Sequence, residues 1–309
     1  MPAFSTHYIF AEEVMADLRR IAKENGFSLC ENSVYIGSQG PDIFFFHRAM
    51  PWQKGKTLRK AGSAMHRAKF GDVLDGFADY IKASSRPDIA KSYAYGFILH
   101  YAADRNCHPY IYSLQEKITK KQPRANPNST HNMIEFAIDS VLLNKIKSIA
   151  SPCGFDTSQT FNYTAEEKHE IATMLSFVSS VFSETPISIS DAELAIEDTK
   201  HAQHLLTDAD GKKAAFLQKA EKLAAPFTNN FKISSFIRND DLENNIKCVN
   251  INNKAWKSPF SGKISRQSFF DLYDYSKKDA LKMISDFNLG LCGKEITGNL
   301  SFLTGTEVK

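Results

Sequence analysis

The chain has 309 residues, 42 % of them hydrophobic and 24 % charged, with a formal net charge of +3. These values exclude a disordered, collagen-like or low-complexity chain. A charge this small also makes no electrostatic case for a nucleic-acid partner. Aromatic residues are abundant and mostly Phe (23 Phe, 11 Tyr, 2 Trp), beside nine His and five Cys. The odd, scattered Cys fit reduced thiols rather than a disulfide framework. No apolar run approaches the roughly 20 residues that span a bilayer. Glu12 and Glu13 interrupt what would be the apolar part of a leader, and no basic segment precedes it, so a cytoplasmic location is expected.

Helical periodicity dominates the chain. Residues 8–24 align Ile9, Val14, Leu18 and Ile21, and Asn25-Gly26 marks the stop. A short helix is expected at 33–39, ended by Gly40-Pro41, and another at 63–82 with Ser63 as its cap. The most apolar helix is 88–107. Pro109 disfavours the α conformation at His108, which is therefore expected at or past the helix end. The basic cluster Lys117–Arg124 reads as a solvated loop. Residues 129–149 form a helix capped by Ser129 or Thr130, and further helices are expected at 164–184, 189–206 and 210–225. The segment 227–264 is polar, Asn-rich and poorly periodic, and a closing helix follows at 267–287. The expected class is all-α, with residues 1–309 forming a single domain.

Spacing singles out a few histidines. His100, Asp104 and His108 lie at i, i+4 and i+8, spanning roughly 80° of a helix, so they share a face. Imidazole and carboxylate are zinc ligands, and an i, i+4 pair can present both to one ion. His131 and Glu135 repeat the i, i+4 spacing, with Asp139 continuing the stripe as an orienting or an exposed group. Asp42 follows Gly40-Pro41, a turn that aims its carboxylate inward or uses it as a cap. Taken singly, His7 and His66 read as satisfied or exposed. His47 has no partner at diagnostic spacing and stays unassigned; His169, His201 and His204 read as solvated, and Cys107 as a buried thiol. Phe44, Phe45 and Phe46 read as core packing.

Together these segments resemble the bacterial zinc-dependent phospholipase C family. The likeness is carried by Thr6-His7-Tyr8, YIGSQGPDIFFF (35–46), GSAMH (62–66), YGFILHYAADRNCHPY and HNMIE (131–135), and more weakly by Trp256-Lys257-Ser258-Pro259 and SFFDLYDYSKKDA. Such proteins are all-α and hold up to three zinc ions between helices. By matching position, the resemblance implies that Asp42, His66, His100 and Asp104 hold one zinc, and His108, His131 and Glu135 a second. His7, with Asp104 as a bridge, would hold a third. Secreted members begin with a Trp that completes the third site, whereas this chain has Met1-Pro2. The step from Asp104 to His108 is also shorter than in secreted members, so the segment reaching the second zinc is expected to differ.

The implied activity is zinc-dependent phosphodiester hydrolysis, in which metal-activated hydroxide attacks the phosphorus of a phospholipid or related diester. Asp42 is expected to be a ligand that also accepts a proton. Transient contact with a membrane surface follows from such a substrate. The competing readings are an S1/P1-like single-strand nuclease, against which the weak net charge counts, and a non-catalytic helical protein with structural zinc.

Overall fold

The apolar stretch around Tyr93–Ala103 lies inside a 35-residue helix, Pro87–Lys121, in the computed structural model, which describes residues 4–50 and 52–308. From Ser92 to Arg105 every residue of this helix is buried, on all sides, as expected of a helix apolar all round. Phe4–Glu24, Glu31–Gly37, Phe70–Ala83, Pro127–Lys145, Ala165–Val178 and Phe269–Asn288 pack against it, and the other longer helices are Arg59–Arg67, Ile189–Leu205 and Lys212–Ala224. The described strands are only the antiparallel pair Trp256–Lys257 and Ile264–Ser265. The protein is all-α, and among the described residues no helix is long and apolar enough to cross a membrane.

Much of the Phe excess is core. Phe70, Phe77, Phe97 and Phe302 are fully buried; Phe70 stacks on Phe97, while Phe77 meets Tyr93 and Phe302 meets Tyr101 edge-to-face. The Glu31–Gly37 helix crosses the central one at very short range. A Cβ on Gly96 would lie 2.2 Å from the Val34 carbonyl oxygen, so the crossing needs glycine there.

Several sequence expectations change. The helix expected at 63–82 is two helices, because Ala68 and Lys69 are extended; Ser63 sits inside the first rather than capping it. Asn126, not Ser129 or Thr130, caps Pro127–Lys145, its side chain accepting from the Ser129 N–H at 3.1 Å. Pro109 does not end the central helix, which continues to Lys121 and takes up most of the basic cluster expected as a loop. A proline inside a helix costs about 3 kcal/mol and leaves the carbonyl four residues back without its usual donor. Here that carbonyl belongs to Arg105, and the Gly305 backbone lies directly over it. The Arg105 guanidinium makes a forked ion pair with Asp279 at 2.7–3.0 Å and donates to the Thr297 carbonyl at 3.0 Å. These contacts clamp the turn that proline weakens.

The C-terminal chain positions the site. After the helix Phe269–Asn288 and a short helix, Gly293–Thr297, residues 298–308 return to the central helix. The excursion expected at 227–264 is irregular, with short helical turns such as Ile233–Phe236 and Leu242–Asn245.

Candidate metal centre

His100, Asp104 and His108 project from one stripe of the central helix. The Asp104 Oδ2 oxygen lies 3.2 Å from His100 Nε2, 3.9 Å from His66 Nε2 and 3.7 Å from His108 Nδ1. His66, from the helix Arg59–Arg67, is 3.1 Å from Asp42 Oδ1. Asp42 ends the tight turn Gly40–Asp42, where Gly40 has φ +53° and a Cβ would come within 2.3 Å of the His100 ring. Only glycine lets this turn press against His100. From the first helix, the His7 ring stacks on His100 with centroids 4.2 Å apart, and its Nε2 lies 3.5 Å from Asp104 Oδ1.

His131 and Glu135, one turn apart on Pro127–Lys145, meet at 2.9 Å. His108 Nε2 reaches the same Glu135 oxygen at 3.6 Å. His108 thus joins this pair without leaving its helix: eight residues beyond His100, its side chain rises past Asp104 toward the neighbouring helix.

Four of the imidazoles are held in one tautomer. His66 Nδ1 donates to the Gly62 carbonyl (2.8 Å), His100 Nδ1 to Ser38 (3.1 Å) and His108 Nδ1 to Phe302 (2.9 Å). His131 Nδ1 lies 2.8 Å from the Gln115 amide oxygen. A carbonyl oxygen only accepts, so each Nδ1 carries the proton and each Nε2 lone pair faces the carboxylates. Fixing the outer nitrogen is how metal-binding histidines are oriented.

Burial pushes His7 and His66 down to about 4 and His131 below its ordinary value. All three favour the neutral form that a metal needs. Burial raises the Asp42 carboxyl well above the carboxylate range. Burial also works to raise Asp104, but the His100 and His108 imidazoles beside it hold it well below its ordinary value. Glu135 shows the same contest, with His131 prevailing to lower it. A divalent cation among these oxygens would dominate the local charge and favour all three carboxylates ionised.

The donor set fits such ions. His7, Asp42 and His100 form one group whose ligand atoms lie within 4.8 Å of one another; His66, His100 and Asp104 form another, and His108, His131 and Glu135 a third. Among the described residues, both nitrogens of His7, the Nε2 atoms of His66 and His100, Asp42 Oδ1 and both Asp104 oxygens are buried without a hydrogen-bond partner. No lysine or arginine among these residues forms an ion pair with Asp42 or Asp104. Buried carboxylates left so are costly unless a cation compensates them.

A family model for zinc-dependent phospholipase C matches residues 6–185, which include His7, Asp42, His66, His100, Asp104, His108, His131 and Glu135. The chain belongs to the zinc-dependent phospholipase C family. No curated protein and no solved structure matches it.

Several residues behave otherwise than the sequence suggested. His47, which no spacing assigned, is buried: its Nδ1 accepts from the Leu58 N–H at 3.1 Å, and its Nε2 lies 3.5 Å from Asp191. His169, His201 and His204 are exposed, as expected. Asp139 is fully buried and caps the first helix, accepting from the Ser5 and Thr6 N–H groups at 3.0 and 2.8 Å. That cap draws the helix start back to Phe4, just before His7. Cys107 is a buried thiol raised by burial. Phe44 is core, whereas Phe45 is half-buried with its ring 5.6 Å from His66. Met1 and Pro2 lie outside the described residues. The sequence reading missed Gln115 and the carbonyls of Ser38, Gly62 and Phe302. Gln115, seven residues past His108 on the same helix face, was the one with a readable signal.

Proposed function

We propose that this chain is a zinc-dependent phosphodiester hydrolase acting on a phospholipid or related diester. The observation that carries the reading is the inward set of His Nε2 atoms whose outer nitrogens are pinned by carbonyl oxygens. One zinc would be held by Asp42, His66, His100 and Asp104, and a second by His108, His131 and Glu135. His7 would join a third with Asp104, its alternative partners being Asp42 and His100. Bound zinc supplies Lewis acidity that brings the pKa of water to about 7 and offsets phosphoryl charge.

The residues have distinct tasks. Asp104 lies among His7, His66, His100 and His108 and holds their nitrogens in register. Asp42, turned inward by the Gly40–Asp42 turn, is the group we assign to accept a proton from the attacking water at a carboxylate oxygen. The His131 side chain keeps 13 % of its surface exposed, whereas His108 keeps none, so a diester would approach from the His131 side. Tyr112, 4.7 Å from the His131 ring, and the part-exposed Phe260 beside it would line that approach. Treating the chain as one domain is supported by Phe302, which packs into the core of the matched region from near the C-terminus.

The test is zinc content together with turnover of a chromogenic phosphorylcholine diester, before and after chelation and zinc return. Two or three zinc per chain and zinc-restored turnover are expected. Stoichiometric zinc with no cleavage of any phosphodiester would leave the metal structural and end the hydrolase reading.

A further inference from the structure

The helix Lys212–Ala224 has no buried residue. Its outward stripe runs Lys212, Phe216, Lys219, Leu223, at spacings of four, three and four. Phe216 is 72 % exposed and Leu223 82 %, and Phe227, just past the helix, is 91 % exposed. A soluble surface does not gather large apolar groups at its most exposed points without a use for them. Polar groups frame them. Residues 212–232 carry lysines 212, 213, 219, 222 and 232 against the single acid Glu221. Glu221 is turned to the body of the protein, where it accepts from the Ser234 N–H and hydroxyl at 2.7 Å. Lys213 caps the preceding helix through the Leu205 and Thr207 carbonyls, and Lys212 pairs with Asp210. Lys219 and Lys222 make no ion pair among the described residues.

We infer that Lys212–Phe227 is a docking element for an anionic phospholipid surface, with Phe216, Leu223 and Phe227 entering the interface and Lys219 and Lys222 meeting the headgroups. Apolar side chains on the outer face of a basic helix match the two forces that hold an interfacial helix, burial in the acyl boundary and attraction to anionic lipid. The location suits the task. Asn126 donates to the Asn229 carbonyl at 3.0 Å, and the Lys232 N–H donates to Ser129 Oγ at 2.7 Å. The element is thereby anchored to the first turn of the helix that carries His131 and Glu135. Docking would bring lipid headgroups to the exposed side of the metal centre. This inference rests on the phospholipid reading above, but it concerns a surface apart from the metal centre.

The full chain is mixed with vesicles of phosphatidylcholine alone and of phosphatidylcholine with phosphatidylglycerol, and binding is read by flotation. Binding to the anionic vesicles, weakened by salt, is expected. The variant F216A/L223A/F227A is expected to lose it by about tenfold or more, and K219E/K222E to lose it on anionic vesicles. Circular dichroism and zinc content of each variant should match the parent, showing that the fold and the metal centre are intact. Zinc content and soluble-diester turnover of the parent test the hydrolase reading separately, so either idea can fail alone. No vesicle binding by the parent, or equal binding by the apolar variant, overturns the proposal. So does a solution dimer that the apolar variant abolishes, which would assign the face to a second copy of the chain.

Discussion

The Phe302 carbonyl accepts the Nδ1 proton of His108 at 2.9 Å, joining residues 194 positions apart. Phe302 lies well beyond the family-matched stretch, which ends at residue 185. The C-terminal tail therefore completes the orientation of a histidine whose partners, His131 and Glu135, lie in the matched part.

Phe302 also places its fully buried ring against Phe70, Tyr101 and His66. Phe302→Ala keeps the carbonyl but leaves a cavity, and should destabilise the protein by about 3–5 kcal/mol in denaturant unfolding. Truncation before residue 298 removes the carbonyl as well and should lower zinc content beyond what Phe302→Ala does. Equal zinc in the truncated chain and the parent would refute the role given to the tail.

His100→Ala and Glu135→Ala should each lower zinc per chain, and the double variant should hold less than either. His100 belongs to two of the ligand groups and Glu135 to one, so the first loss should be the larger. Elemental analysis of the purified variants checks the order. Unchanged zinc in both would discard the ligand assignment.

Gly40→Ala should be costly although it adds a single methyl. Its φ of +53° disfavours alanine, and the methyl would overlap the His100 ring. The expected loss is about 1–3 kcal/mol of stability, with reduced zinc binding. Wild-type stability and zinc in this variant would show that the turn does not set the His100 position.

Removing Asp139 strips the cap from the first helix and leaves the buried Arg238 guanidinium without its carboxylate, 3.6 Å away. Asp139→Ala should cost about 3–5 kcal/mol. Adding Arg238→Met should recover part of it, since the uncompensated charge goes too. A double variant whose cost is the plain sum of the singles would show that the pair is not coupled.

Burial holds His7 and His66 near 4 in the folded chain, against an ordinary 6.5. The unfolded chain takes up protons as pH falls below 6.5, while the folded one does so only near 4. The metal-free protein should therefore lose stability across that window, by about 3 kcal/mol per histidine, and the histidine contribution should level off below it. Asp104 and Glu135, held below their ordinary values, add a loss of the same sign at lower pH still. Denaturant unfolding of the chelator-treated protein at successive pH values measures it, and a flat profile would contradict the burial of these imidazoles.

The helical class, the position of the main helices and the i, i+4 stripes His100–Asp104–His108 and His131–Glu135 were legible in the sequence. Each rests on local periodicity, where residues three or four apart must share a face. Asp42, His7 and His66 were legible only through the family resemblance, because no spacing ties them to the central helix. Capping and punctuation signals misled where a distant group intervened. Pro109 looked like a helix end, but Asp279, Thr297 and Gly305 clamp that turn. His47 carried no diagnostic spacing, and only packing brings the Leu58 N–H and Asp191 to it.

What the chain determined by itself is a set of amphipathic helices and the imidazole and carboxylate stripes along them, since both follow from the fixed geometry of one helix. What only the tertiary structure decided is which nitrogen of His66, His100, His108 and His131 faces inward. That choice belongs to carbonyl and amide oxygens such as those of Ser38, Gln115 and Phe302, brought in by packing from elsewhere in the chain. A backbone carbonyl is present at every position, so no residue type marks the few that folding selects.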